Sequence, residues 1–164
     1  MKRILVAVLG MHALFAGPVL ATDLVGTRMM SLELATEIAQ GAIDACREMG
    51  YQVSVVVVDR AAQPQVVMRD VYSTRFTVQL ATEKANSVIL GGVSSAELRR
   101  NRGSIVPELN EVDGILVLAG ALPIRAAGQL VGAVGVSGAP GGDKDEICAA
   151  KGIEKVAERL EFAD

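Results

Sequence analysis

Apolar residues return at helical spacing early in the chain. Leu32, Ala35, Ile38, Ala39, Ala42, Ile43 and Cys46 recur every three or four positions, which predicts one amphipathic helix. Ser31 is a good N-cap for it, and Gly50 stands where a helix end favours a left-handed residue. The period then changes. Gln52 to Asp59 carries Val53 and the run Val55 to Val58, a β-branched stretch that reads as a strand covered on both faces. Asp59 to Pro64 supplies a turn, and Gln65 to Arg69 returns as a second strand. Thr74 to Leu90 is helical again, with Val78, Ala81, Ala85, Val88 and Ile89 on one side and Gly91-Gly92 as its stop. Ser94 with Glu97 forms a capping box that opens a short helix toward Asn101.

Gly103 to Asp113 reads as a loop. Ile115 to Leu118, Leu122 to Ala126 and Gln129 to Ser137 read as three more strands joined by tight turns. Asp143 with Glu146 is expected to cap a last helix that runs to about Leu160. Strand pairs joined by short turns imply an antiparallel sheet with helices packed against it, an α+β domain. No repeat or linker divides residues 22–164, so one domain is expected there.

The first 21 residues are of another kind. Met1-Lys2-Arg3 is a basic start, Ile4 to Gly17 carries no formal charge, and Pro18-Val19-Leu20-Ala21 offers modest side chains before Thr22. Together these read as a cleaved secretory signal peptide, and they place the mature protein in the periplasm or outside the cell. The apolar run is short for a membrane span, so no span is expected after cleavage.

Removing this segment changes the chemistry available. Lys2 and Arg3 leave and no acid leaves with them, so the formal charge moves from −3 to −5. That argues against nucleic acid as a partner. His12, the one histidine of the chain, also leaves. The mature protein then has no imidazole, which excludes Ser-His-Asp, Cys-His and His-based zinc chemistry. Aromatics make up 3% of the chain, so the core must be built from Val, Ile, Leu and Ala.

Some residues remain as candidates. Arg69 and Asp70 end a strand where the chain turns into a helix that carries Glu83 and Lys84. An Arg and a Lys converging on one cleft would suit a carboxylate or phosphate, and ordinary salt bridges would use the same residues. A buried Lys84 would also suit Schiff-base or general-base chemistry, with Glu83 or Asp70 beside it. Gly132, Gly135 and Gly138 recur every third residue before Gly141-Gly142. Packing is the better reading of Gly132 and Gly135, while Ser137 and Gly138 are better placed for ligand contact. Glu108, Glu111 and Asp113 fit no recognised metal loop and read as a solvated, charged segment, so no metal site is assigned.

Four stretches resemble the GlcG/HbpS family, described as haem-binding or haem-degrading-like proteins and related to the C-terminal domain of PduO-type proteins. They are Val57-Val58-Asp59 through Gln63-Pro64 to Met68-Arg69-Asp70; Glu83 to Ser87; Ala119 to Ile124; and Val131 to Gly138, followed by Asp145-Glu146 and Cys148 to Gly152. They span residues 31–160 in the family's order. The resemblance implies a profilin-like fold, a five-stranded antiparallel sheet between helices, and assembly into homo-oligomers. It also implies a small-molecule pocket near Arg69, Asp70, Lys84, Pro123, Ser137 and Gly138, with haem, another tetrapyrrole or a small anionic metabolite as ligand.

A haem here could not be His-ligated. The axial candidates are Tyr51, Tyr72, Met68, Cys46, Cys148 and Lys84. If the first and last helices pack antiparallel, as the resemblance suggests, Cys46 and Cys148 would meet, and an oxidising compartment would bond them. Two buried thiols are the alternative. The leading expectation is an exported binding protein. A Lys84-based isomerase or lyase and a structural subunit of a periplasmic oxidoreductase are the alternatives.

Overall fold

The computed structural model describes residues 26–163; the expected signal peptide and His12 lie outside the described residues. Ten elements follow one another. They are α1 Leu32–Glu48, β1 Ser54–Asp59, β2 Pro64–Arg69, α2 Arg75–Gly91, α3 Ser95–Asn101, α4 Val106–Leu109, β3 Ala121–Ala126, β4 Gln129–Ser137, α5 Gly142–Glu154 and α6 Ala157–Glu161. The strands form one antiparallel sheet in the order β2-β1-β4-β3. The fold is α+β, with helices on both faces of the sheet.

Strand alternation sorts the two cores. Val55 and Val57 of β1 point toward α1 and α5, where Ile38, Ala42, Val134 and Val136 complete the larger core. Val56 and Val58 point the other way, onto Ala81, Ala85 and Val88 of α2. A strand buried on both faces needs no polar position, which is why the valine run is continuous. Gly132 and Gly135 serve the packing. A Cβ on Gly135 would stand 2.0 Å from the Ala81 carbonyl oxygen, and one on Gly132 would stand 2.4 Å from that of Val58.

Local signals act at the helix ends. The Ser31 hydroxyl accepts the Leu34 N–H, and α1 closes with Tyr51 N–H on Cys46 O and Gly50 N–H on Arg47 O, a Schellman pair. Ser94 accepts the Glu97 N–H at the start of α3.

Three expectations are corrected. The sheet has four strands, not five, because Ile115–Leu118 does not join it. Its N–H groups are used elsewhere: Leu116 donates to Glu83 O, Val117 to the Asn110 side chain, and Leu118 to Leu116 O. The Gly103–Asp113 loop contains a 3-10 turn, Gly103–Ile105, and the short α4. The last helix divides at Val156, and its N-cap is Gly141 with no side-chain cap, so the Asp143–Glu146 pair does not form. The Glu146 carboxylate instead accepts the Ala96 N–H at 3.4 Å.

Candidate functional site

One end of the sheet gathers most of the residues singled out from sequence. Arg69, Ser54 and Ser137 stand in register on three neighbouring strands. Asp70 follows at once and is 4% exposed. Its carboxylate accepts from Arg47 Nη2 at 2.5 Å and Nε at 3.0 Å, and from the Val53 N–H at 3.3 Å. The Asp70 hydrogen bond is the main reason the Arg47 guanidinium holds its proton more tightly than usual. Arg69 donates to the carbonyl oxygens of Asp70, at 3.1 Å, and Ser73, at 2.5 Å. Below them Ser54, Ser73 and Thr77 share hydrogen bonds of 2.6 to 3.3 Å. Both charged side chains are therefore occupied, Arg69 by carbonyls of the turn that joins β2 to α2 and Asp70 by Arg47 of α1 and the Val53 N–H.

Lys84 projects from α2 past the end of β4 and is 2% exposed. Its Nζ donates to Asp145 Oδ2 at 2.8 Å and to Val136 O at 3.1 Å. Asp145 Oδ1 accepts the Ala139 N–H at 3.1 Å, so this one carboxylate ties α2 and the Gly138 turn to α5. Burial raises the Asp145 carboxyl above its ordinary value and outweighs the opposing pull of Lys84. The space for the ammonium exists because residue 120 is glycine. At φ +128 it is strained for any other residue, and its Cβ would lie 2.6 Å from Lys84 Nζ.

Arg69, Asp70, Lys84, Ser137 and Gly138 thus share one end of the sheet. Pro123 stands apart. It pairs with Ala133 on the outer strand and lines a groove of about 520 Å³ with Arg125, Ile153 and Leu160. The Glu83 carboxylate accepts from Gln79 at 2.8 Å. Asp145 and Arg47 are the partners that sequence reading did not pair with Lys84 and Asp70. Separations of 61 and 23 residues leave no local pattern to find. Glu108, Glu111 and Asp113 form no metal-holding group, and the described residues contain none.

The groups able to ligate haem iron are also placed. Cys46 and Cys148 are joined as a disulfide, with Cα atoms 5.3 Å apart. Tyr51 and Met68 are half-buried against the larger core. Tyr72 is 84% exposed, at the tip of the turn between β2 and α2.

Apolar residues near Tyr72 in the chain are also exposed. Helix α2 covers β1, β4 and β3 and scarcely reaches β2, so Val67 is left bare on the helix side of the sheet. Val71, Tyr72 and Phe76, in the turn and first helical turn that follow β2, are exposed as well, and the Arg75 guanidinium lies 4.4 Å from the centre of the Phe76 ring.

A family model described as haem degrading protein HbpS-like matches residues 30–154. The crystal structure of HbpS has a TM-score of 0.76 at 35% identity, covering 80% of this chain and 93% of that one. A double mutant of HbpS from Streptomyces reticuli gives the same TM-score and identity, covering 85% and 96%. The fold also recurs in PduOC, solved as a haem complex, with a TM-score of 0.69 at 19% identity and coverage of 78% and 95%. No curated protein matches the chain in sequence. The match runs from the residue before the α1 cap to the end of α5, through every strand of the sheet, and the chain belongs to the HbpS-like family.

Proposed function

We propose that the protein is an exported haem- or tetrapyrrole-binding protein in a profilin-like fold, acting as a homo-oligomer. Membership in the HbpS-like family across residues 30–154 carries this reading. PduOC, a protein of the same fold, was crystallised with haem. The disulfide supports export, since such bonds persist in oxidising compartments.

The residues present fit a haem held without histidine. The thiols are bonded to each other, Lys84 is committed to Asp145, and Tyr51 and Met68 are half-buried, so Tyr72 is the most exposed of the candidate donors. Tyrosine is an established ligand of ferric haem. In this reading Val67, Val71 and Phe76 supply the apolar face for the macrocycle, Tyr72 the oxygen donor, and Arg75 the charge for a propionate. When bound, the group would supply redox and oxygen chemistry. What the chain contributes is an apolar bed that sheds water, a guanidinium that positions an anion, and a phenolate oxygen.

The Lys84-based enzyme is not favoured. Lys84 is almost fully buried, its ammonium already has two partners, and it does not line the groove at Pro123. A carbonyl substrate has no approach to its Nζ.

The test is a titration of the oxidised chain, residues 22–164, with ferric haem, followed in the Soret region. Saturation at one haem per chain is expected, with Tyr72→Phe weakening binding at least about tenfold while the far-ultraviolet circular dichroism stays unchanged. Saturable binding that Tyr72→Phe and Phe76→Ser leave intact would overturn this placement. No binding at micromolar haem would overturn the ligand class.

A further inference from the structure

The C-terminal end of α2 borders an apolar groove that the haem reading does not use. Leu90 and Gly91 close α2, Leu98 and Arg102 come from α3 and its C-terminal cap, and Ile105 and Leu109 come from the segment that follows. Together they line a groove of about 260 Å³. Leu90 is 57% exposed, Ile105 is 42% exposed and Leu109 is half-buried, so three long aliphatic side chains border a gap that the fold leaves open.

The walls of the groove are built locally. Gly91 lets α3 come close, since a Cβ there would stand 2.8 Å from Leu98 Cδ1. The opposite wall is tied down after α4, where Asn110 accepts the Val117 N–H and Asn86 donates to Gly114 O. Helix α4 itself packs on the 3-10 turn before it and scarcely on the rest of the domain. Ile105 and Leu109 accordingly belong to neither core of the sheet.

The rim is basic, in a chain whose formal charge is −3. Arg99, Arg100 and Arg102 are all exposed, and none forms an ion pair or a side-chain hydrogen bond among the described residues. Glu97, the acid of α3, accepts from Asn101 at 3.4 Å. Arg99 and Arg100 stand in the last turn of α3, where a cation complements the helix end. Arg102 is the one that lines the groove.

We propose that this groove binds a free medium-chain alkanoate, with the alkyl chain among Leu90, Leu98, Ile105 and Leu109 and the carboxylate on Arg102. An apolar gap calls for an alkyl chain, and a guanidinium at its rim can meet a planar carboxylate with two parallel N–H bonds. The volume sets the length: a cavity of about 150 Å³ takes benzene, so one of about 260 Å³ takes roughly ten carbons. The site is separate from the haem placement above, because Arg75 and Leu90 lie about 22 Å apart along α2 at ~1.5 Å per residue.

The experiment is calorimetric titration of the oxidised chain, residues 22–164, with sodium hexanoate, octanoate, decanoate and dodecanoate, and with 1-octanol. One site per chain is expected. Affinity should fall about tenfold for each two methylenes removed from decanoate, and dodecanoate should gain less than about twofold over it. Octanoate should bind about fivefold tighter than 1-octanol; Arg102→Gln should erase that preference, while Arg60→Gln, the same charge change in the turn between β1 and β2, should keep it. Methyl NMR should place the shifts at Leu90, Leu98, Ile105 and Leu109. A preference for octanoate that survives Arg102→Gln would overturn the carboxylate contact, and shifts centred on Val67 and Val71 would overturn the location. No saturable decanoate binding at about 1 mM, a concentration that detects even the weakest specific sites, would overturn the site itself.

Discussion

Replacing Lys84 by Met removes one member of a buried ion pair and leaves the other. The carboxylate of Asp145, 3% exposed, would keep only the Ala139 N–H. It can stay ionised, which in a buried site costs several kcal/mol, or it can take up a proton. The second route sets a ceiling. Holding a carboxyl of ordinary value 3.8 protonated at pH 7 costs about 4.4 kcal/mol, at 1.36 kcal/mol per pH unit. Lys84→Met should therefore lose about 3–4.5 kcal/mol at pH 7, a large part of the ~5–15 kcal/mol that holds such a domain folded.

The same argument gives the pH dependence and its sign. Asp145 already titrates above its ordinary value because of burial, so its contribution is full below about 3.8 and is lost as pH rises through the folded-state value. Without Lys84 that value moves higher still. The variant's deficit should then shrink by about 1.4 kcal/mol for each pH unit below neutrality. Pairing Lys84→Met with Asp145→Asn removes the charge and keeps an acceptor for Ala139. It leaves Val136 O without its donor, a cost of about 1 kcal/mol that does not vary with pH. Urea unfolding of the oxidised proteins at pH 5, 6 and 7 measures all of this. A single variant losing under about 1 kcal/mol at pH 7, a deficit equal at pH 5 and 7, or a double variant as unstable as the single would refute the reasoning.

Three other outcomes are expected. The disulfide spans 102 residues, and the loop-entropy relation gives about 4.7 kcal/mol for a loop of that size; Cys46→Ala/Cys148→Ala, or thiol reduction, should lower the urea midpoint accordingly, and an unchanged midpoint would contradict this. Gly135→Ala should cost about 1–3 kcal/mol or prevent folding, because its Cβ meets backbone rather than a yielding side chain; calorimetry that shows wild-type stability would count against the close approach of α2 to β4. Glu37 is held below its ordinary 4.5, chiefly by its hydrogen bond from Arg159, so the pair should stabilise above that value and fade as pH falls through the folded one. The urea midpoints of wild type and Glu37→Gln should therefore converge in acid, and a gap that persists at pH 3 would show that some other loss is being measured.

Much of the fold was already legible in the chain, because its determinants are local. The α1 pattern, its Ser31 cap, the valine run of β1 and the Ser94 box each act within a few residues, and each is present in the structure. The same reading overcounted the strands at Ile115–Leu118, where apolar composition matched a strand. Only the position of α2 showed that the segment's N–H groups belong to Glu83 and to its own neighbours.

The candidate site divides along the same line. Residue type and placement singled out Arg69, Asp70 and Lys84 as chemically able, and the sheet register brought them to one end. Their use was decided by partners far away in sequence: Arg47 for Asp70, and Asp145 for Lys84. Packing turned Lys84 from a reactive amine into half of a buried strap, and packing also left Tyr72 and Phe76 exposed on a side of β2 that α2 does not cover. A charge can be read from one position in a chain. Whether it is free to meet a ligand depends on what the folded chain sets beside it, because burial and a distant counter-charge act through space and leave no trace in local spacing.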